Sequence, residues 1–335
     1  YVGVIGIGRI KRGKVKTNSQ GYEVLDEVAA DMDAWLVRYP SGLDAKVPVR
    51  RDAMRAKVQE VYGCSKADWD DWRWHLGHVA KGEGAWIDLL GLDDDERQAL
   101  RLAAANRIPF GITPYTLSLM DTDRAHDHAV RAQVLPPLSF VKTMIAHRGD
   151  RSHAFDFMGE HDTSPVDLIT RRYARIAILK PINTCAQICV YCQRNWEIDE
   201  CLGPDAQVAP ADPEAALAWL DAHPAVGEVL LTGGDPLILP DAALARWLER
   251  LAARPQIYRI RIGSRTPVVL PQRITEGLAD LLARFHEPGR REIALMTHFE
   301  HPYEITPEAC DAVQRIRRRG IGVYNQQVFT IENAR

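Results

Sequence analysis

The sequence has no apolar run near the ~20 residues that a membrane-spanning helix needs, so no spanning segment is expected. It has no marked excess of charge either. Lysine and arginine together number 42 against 45 aspartates and glutamates, a net charge of -3. That balance gives no general pull toward nucleic acid or an anionic membrane, and neither partner is expected. Residues 1–16 carry glycine and basic side chains but neither the apolar core nor the small-residue cleavage site of a secretory signal. The sequence opens on Tyr1 rather than Met, as a trimmed chain would. Cysteine is scarce, six in 335 residues, far too few for a disulfide scaffold. Lysine runs out early: Lys180 is the last of nine. Beyond it the sequence is basic through arginine alone, so Schiff-base chemistry cannot draw on a lysine from its second half as given. Apolar residues at 46% and charged residues at 26% are ordinary globular values and exclude global disorder.

What is present is clustered. Three of the six cysteines, Cys185, Cys189 and Cys192, fall within eight residues, which reads as metal ligation in a reducing compartment, the cytoplasm. The pattern changes near residue 165. Residues 1–165 are expected to be mainly helical, with apolar residues at i, i+3, i+4 over 21–37, 51–62 and 93–105. Trp69, Trp72 and Trp74 are expected to cap and pack a helix. Residues 109–114, 136–137 and 149–164 read as loops. Residues 166–335 alternate strand and helix. Strands are expected at 176–182, 228–231, 257–262, 292–297 and 322–329, and helices at 213–223, 240–253, 275–285 and 307–319. That alternation predicts an α/β fold with a parallel sheet, rolled by right-handed crossovers into a partial barrel or wound into an open sheet. Val2 to Ile10 imitates a dinucleotide-binding opening. The third glycine is replaced by Lys11 and no helix pattern follows, so a hairpin or extended arm is the better reading.

The triplet Cys185-x3-Cys189-x2-Cys192 directly follows the first expected parallel strand. Three thiolates on one loop can hold three irons of a [4Fe–4S] cube and leave the fourth iron open. A structural zinc would need a fourth closed ligand, for which Cys201 is available. Polar groups recur at the C-terminal ends of the later strands: Thr232-Gly233-Gly234-Asp235, Gly263-Ser264-Arg265, Thr297-His298 with Phe299-Glu300-His301, and Asn325-Gln326-Gln327. In a parallel βα barrel that face carries the active site. The Gly-Gly-Asp stretch taken alone fits a plain βα turn equally well. His298 and His301 could be a metal pair, though a strand-to-loop spacing would not put them on one face. His126 and His128 read as solvated polar residues.

In these motifs the sequence resembles the radical S-adenosylmethionine (SAM) superfamily, and within it the lysine 2,3-aminomutase family. The cysteine spacing, with Tyr191 just before the third cysteine, is that of the superfamily. Residues 261–275 (RIGSRTPVVLPQRIT), 297–306 (THFEHPYEIT), 112–121 (ITPYTLSLMD), Trp69 to Trp74 and Asn325-Gln326 narrow it to the family. The similarity runs from about residue 69 to 329.

The resemblance implies that Cys185, Cys189 and Cys192 ligate a [4Fe–4S] cluster. It implies that Gly233, Gly234 and Asp235 meet the amino end of SAM, and that Tyr191, Ser264, His298 and Gln326 complete the cofactor surroundings. Arg194 matches the arginine that clamps the substrate carboxylate, a task suited to a planar guanidinium. Arg172, Tyr173 and Arg175 match the group that holds the phosphate of pyridoxal phosphate (PLP). The implied reaction converts an α-amino acid to a β-amino acid through a 5′-deoxyadenosyl radical, with an electron donor such as flavodoxin or ferredoxin and a homo-oligomeric enzyme. Two departures bear on the substrate. Gln193-Arg194-Asn195-Trp196-Glu197 stands where lysine aminomutases carry a run of arginines, and Lys180-Pro181-Ile182-Asn183 is also unlike them. A PLP-independent radical SAM reaction such as epimerisation and a non-enzymatic cluster- or zinc-binding scaffold are the competing readings. The strand series stops soon after the fifth strand, and the family's PLP lysine lies farther on. The barrel is therefore expected to be incomplete at its C-terminus.

Overall fold

A computed structural model of the chain describes residues 19–198, 200–203, 213–331 and 333. The stretch from Val2 to Ile10 lies outside them. The chain forms two compact units, Tyr1–Pro40 and Ser41–Arg335. In the first, helix α1 (Ser19–Leu36) matches the expected helix at 21–37. The pattern change near residue 165 falls within the second unit.

The helical part of the second unit contains α2 (Lys46–Tyr62), α3 (Asp94–Ala105), α4 (Arg124–Val134) and α5 (Leu138–Ala146). The start of α3 is fixed by a reciprocal cap: Asp93 accepts from the Glu96 backbone N–H, and the Glu96 side chain accepts from that of Asp93. Met54, Val58, Leu100, Ile112, Tyr115, Val130, Val141 and Met144 form one buried core here. Trp69 is buried with its ring 4.9 Å from His75, and Trp74 stacks on His78 at 4.3 Å.

The αβ part is one six-stranded sheet in sequential order: β1 (Ile169–Thr170), β2 (Ile176–Ile182), β3 (Glu228–Gly233), β4 (Arg259–Gly263), β5 (Glu292–Thr297) and β6 (Gly322–Asn325). β1 pairs antiparallel to β2, and every later neighbour pair is parallel. Sequential parallel order without a reversal is the winding of a barrel, not of a doubly wound sheet. Helices α6 (Pro213–Ala222), α7 (Asp241–Ala252), α8 (Glu276–Ala283) and α9 (Pro307–Arg317) fill the four crossovers. Their apolar stripes, such as Leu244, Leu248 and Leu251 on α7, bury against alternate strand residues: Ala177, Leu179, Val229, Leu231, Ile260, Ile262, Ile293 and Leu295.

The intervening strand residues line the other, concave face. At its N-terminal edge Arg259 bridges Glu228 at 3.2 Å and Glu292 at 2.7 Å, which closes that end with an ion-pair row. Chemistry is thereby left to the C-terminal end.

Three expectations need correction. β6 stops at Asn325 rather than continuing to residue 329. Beyond it the backbone bonds to a side chain: the Val328 N–H donates to Glu300 Oε2 at 2.6 Å, and Gln327 Nε2 donates to Glu300 O. The stretch 149–164 is not wholly loop, since it holds helical turns at Arg151–Phe155 and His161–Thr163 and carries the buried Glu160. Residues 109–114 are partly ordered into a bridge from Ile112 to Ala80, and a helical turn starts at Pro114.

Candidate active site

Cys185, Cys189 and Cys192 sit on the loop that leaves β2, and all three thiols are free. Burial pushes the Cys192 thiol up to about 11 and the Cys185 thiol well above its ordinary value, and the neighbouring cysteines add to both shifts. Thiols raised in this way ionise only where a cation pairs with the thiolates. Three soft sulfur donors on one loop fit an iron–sulfur cluster. Cys201, the candidate fourth ligand, is placed differently. It is buried among Val79, Ile188 and Ile198, and its sulfur bonds to the Cys185 carbonyl at 3.4 Å. A Cβ on Gly111 would come 2.4 Å from that sulfur, so the thiol is packed as a small apolar group. Among the described residues no three His, Cys, Asp or Glu side chains converge on a single-ion site, and His298 and His301 form no such group. His301 Nδ1 instead accepts from the Tyr303 N–H at 3.1 Å.

The Gly-Gly-Asp stretch ends β3 against this loop. The Gly234 N–H donates to Ile182 O at 2.7 Å, and the Asp235 N–H to Thr184 O at 2.9 Å. Gly233 has φ +103°, a left-handed backbone that favours glycine. A Cβ on Gly234 would lie 2.1 Å from Thr184 O. The Asp235 carboxylate is fully engaged within the chain. Oδ1 accepts from the Leu237 N–H at 3.0 Å. Oδ2 accepts from the N–H groups of Arg265 and Thr266 at 2.9 Å and from the Thr266 hydroxyl at 2.8 Å. Burial raises its carboxyl despite these bonds. Asp235 therefore ties the end of β3 to the end of β4.

Ser264, buried beside it, donates its N–H to Met296 O at 2.9 Å and so links β4 to β5. His298 follows β5, and burial with the nearby Arg265 charge holds its imidazole below the usual range. Gln326 follows β6, is exposed, and donates its backbone N–H to Thr297 O at 2.8 Å. The fold thus brings the cysteine loop, Gly233 to Asp235, Ser264, His298 and Gln326 to one end of the sheet. The Tyr191 hydroxyl donates to Glu300 Oε1 at 3.0 Å, and the Arg265 guanidinium lies over its ring at 5.7 Å.

Arg194 is buried between two carboxylates, Glu160 and Glu197. Glu160 also meets Arg172 at 3.1 Å, Lys180 at 3.0 Å and the Thr170 hydroxyl at 3.1 Å. Three cations, Arg172, Lys180 and Arg194, and two carboxylates, Glu160 and Glu197, therefore form a nest beside the cysteine loop. Burial pushes the Glu160 carboxyl up, and Arg194 and Lys180 outweigh that and hold it below its usual range. Of the three residues matched to PLP phosphate binding, Arg172 alone joins this nest, while Tyr173 and Arg175 lie exposed before β2. Behind the loop an apolar cavity of about 230 Å³ is lined by Phe140, Met144, Phe155, Phe157 and Trp196 beside Cys192.

Glu160, Arg265 and Glu304 were not singled out individually from the sequence. Arg265 and Glu304 lie inside the motif stretches already noted, one after Ser264 and one three residues past His301. Glu160 is one of four acids in the polar stretch 149–164, and no sequence signal sets it apart from Asp150, Asp156 and Asp162.

A sequentially wound parallel sheet with a three-cysteine loop after its first parallel strand defines a radical SAM fold. Residues 179–335 match the model of the radical SAM superfamily. Residues 179–335 are thus a radical SAM domain, and the chain is similar to KamA proteins and amino acid 2,3-aminomutases. It is 41% identical to an uncharacterized KamA family protein of Methanocaldococcus jannaschii, over 97% of this chain and 54% of the relative. It is 33% identical to an L-lysine 2,3-aminomutase of Acetoanaerobium sticklandii, over 79% of this chain and 60% of the relative. It is 29% identical to a glutamate 2,3-aminomutase of Clostridioides difficile, over 82% of this chain and 61% of the relative. The chain spans little more than half the length of these relatives. Among the described residues no helix is long and apolar enough to cross a membrane.

Proposed function

We propose that this chain is the radical SAM core of a PLP-dependent amino acid 2,3-aminomutase that works in the reducing cytoplasm with a small electron-transfer protein as reductant. The observation that carries the reading is the convergence of the cysteine triplet, the Asp235-tied strand ends and the buried Arg194 nest on one face. The likeness to relatives named as lysine and glutamate 2,3-aminomutases supports the same reading. The cluster with SAM would supply a carbon-centred radical able to take a substrate hydrogen, and PLP would hold the migrating amino group. The protein's own share is placement. Cys185, Cys189 and Cys192 would hold the cluster. The rim formed by Ser264, His298 and Gln326 would hold SAM, and Arg194 would receive the substrate carboxylate in place of Glu160 or Glu197. Arg172 would meet the PLP phosphate. The departure over residues 193–197 (Gln-Arg-Asn-Trp-Glu), where lysine aminomutases carry a run of arginines, means that lysine itself is not assumed as the substrate.

The test is anaerobic incubation of the full polypeptide that carries this chain with reductant, SAM, PLP and a panel of α-amino acids. A β-amino acid product from one of them is expected; none from any would overturn the reading. One observation favours a PLP-independent radical reaction such as epimerisation: Tyr173 and Arg175 lie exposed before β2, whereas Arg172 joins the nest. Release of 5′-deoxyadenosine from protein that shows no PLP absorbance band would favour that second reading.

A further inference from the structure

Arg265 is heavily engaged beside the cysteine loop. Its Nη1 donates to Cys189 Sγ at 2.8 Å. Its Nη2 donates to Glu304 Oε1 at 2.6 Å and to Gln133 Oε1, and its Nε to the His298 carbonyl at 3.3 Å. The backbone N–H is held by Asp235 at 2.9 Å, and the Tyr191 ring covers one face. The side chain is 10% exposed. Its anchor is itself fixed, since Glu304 Oε2 accepts from the N–H groups of Glu300 at 2.7 Å and His301 at 3.1 Å. Gln133 comes from α4 of the helical part, so both halves of the unit hold this guanidinium.

This is more than a packed ion pair. Glu304 and Cys189 lie on different nitrogens of the same guanidinium, so the pair presents its positive end to the sulfur. A charge-assisted N–H···S bond withdraws electron density from a ligating thiolate, and hydrogen bonds to sulfur are among the main controls on iron–sulfur potentials. The one-electron reduced cluster carries an extra negative charge, so it gains more from the bond than the oxidised cluster does.

We infer that Arg265 is a positioning residue that raises the reduction potential of the cluster by donating a fixed hydrogen bond to Cys189, a step that rests on the radical SAM reading of the cysteine triplet. Its rigid setting keeps that contribution constant while substrates come and go.

The experiment is an EPR-monitored redox titration, without SAM or substrate, of the anaerobically reconstituted full polypeptide. Wild type, Arg265→Gln and Arg265→Lys are compared at equal iron and sulfide content. At the wild-type midpoint, Arg265→Gln should show about a tenfold lower ratio of reduced to oxidised cluster, a shift of about 59 mV to more negative potential for a one-electron couple. Arg265→Lys keeps the buried charge, and with it the fold, but an ammonium lacks the fork that reaches sulfur and carboxylate together. It should shift the same way by a smaller factor. Unchanged midpoints in cluster-loaded variants would overturn the inference and leave the radical SAM reading standing. A wild-type polypeptide that assembles no iron–sulfur cluster would overturn both.

Discussion

The Thr266 hydroxyl donates to Asp235 Oδ2 at 2.8 Å, across the ends of two neighbouring parallel strands. The same oxygen takes the backbone N–H groups of Arg265 and Thr266, so one carboxylate fixes the turn after β4 to the turn after β3. Since Arg265 reaches Cys189 from that turn, the geometry at the cysteine loop depends on Asp235.

Asp235→Asn should therefore destabilise the chain by roughly 2–4 kcal/mol. The amide cannot accept from all of these donors, and its own N–H₂ would confront two of them. Denaturant midpoints measure this, and a change below ~0.5 kcal/mol would refute the role assigned to Asp235.

Two glycines should respond in opposite ways to the same change. A methyl at Gly234 meets the Thr184 backbone, O at 2.1 Å and N at 2.5 Å, which cannot swing aside. Gly234→Ala should cost at least about 3 kcal/mol and lower the iron content by displacing the start of the cysteine loop. Gly277 lies exposed in the first turn of α8, with nothing nearer to its added Cβ than Thr275 Oγ1 at 3.8 Å. Gly277→Ala should be neutral or stabilising by up to ~1 kcal/mol. Equal unfolding midpoints for the two variants would contradict the packing described.

The strand and helix series of the αβ part was legible because each element carries a strong period. β2 and β5 span the residues expected of them, around the apolar runs Ile176–Leu179 and Ile293–Met296, and α7 shows Leu244, Leu248 and Leu251 at helical spacing. The cysteine triplet was legible because its spacing within one loop is itself the signal. β1 was missed because two residues hold no period, and β6 was overextended because a side chain, Glu300, takes over its ladder. The Arg194 nest was half legible. Arg194 stands beside the triplet, whereas its partner Glu160 arrives from 34 residues away through a turn that no local pattern announces. For Asp235 the sequence marked a candidate cofactor contact, and the fold shows its carboxylate engaged by three backbone N–H groups and the Thr266 hydroxyl.

Two buried histidines should make the protein acid-sensitive well above the carboxylate range. The Nε2 of His75, which is fully buried, bonds the Trp69 carbonyl at 2.8 Å, and burial pushes its imidazole down to about 4. Burial does the same to His301, also to about 4. An unfolded histidine titrates near 6.5. Between these values the unfolded chain binds more protons than the folded one. The stabilisation is complete above about pH 6.5 and declines as pH falls toward 4, by up to about 3 kcal/mol for His75. His75→Gln keeps a donor for Trp69 O but cannot titrate. Its stability should fall less steeply between pH 6.5 and 4.5 than that of wild type, and parallel pH profiles would refute the assignment.

The last prediction separates the two kinds of cysteine in the site. Cys189 faces Arg265 on the loop after β2, whereas Cys201 faces Val79, Ile188 and Ile198 and presses on Gly111. Burial drives the Cys201 thiol up to about 12, so at neutral pH it is a protonated, apolar plug rather than a thiolate donor. Removing it takes one buried sulfur from a small apolar cluster and should cost about 1–2 kcal/mol, with iron and sulfide per chain unchanged. Cys189→Ala should do the reverse: a folded chain that cannot hold a full cluster and does not cleave SAM reductively. Iron and sulfide analysis of the two anaerobically prepared variants decides between a three-cysteine cluster with one open iron and a closed four-cysteine site. If Cys201→Ala lost metal as completely as Cys189→Ala, the open-iron site, and with it the radical chemistry proposed for the chain, would have to be abandoned.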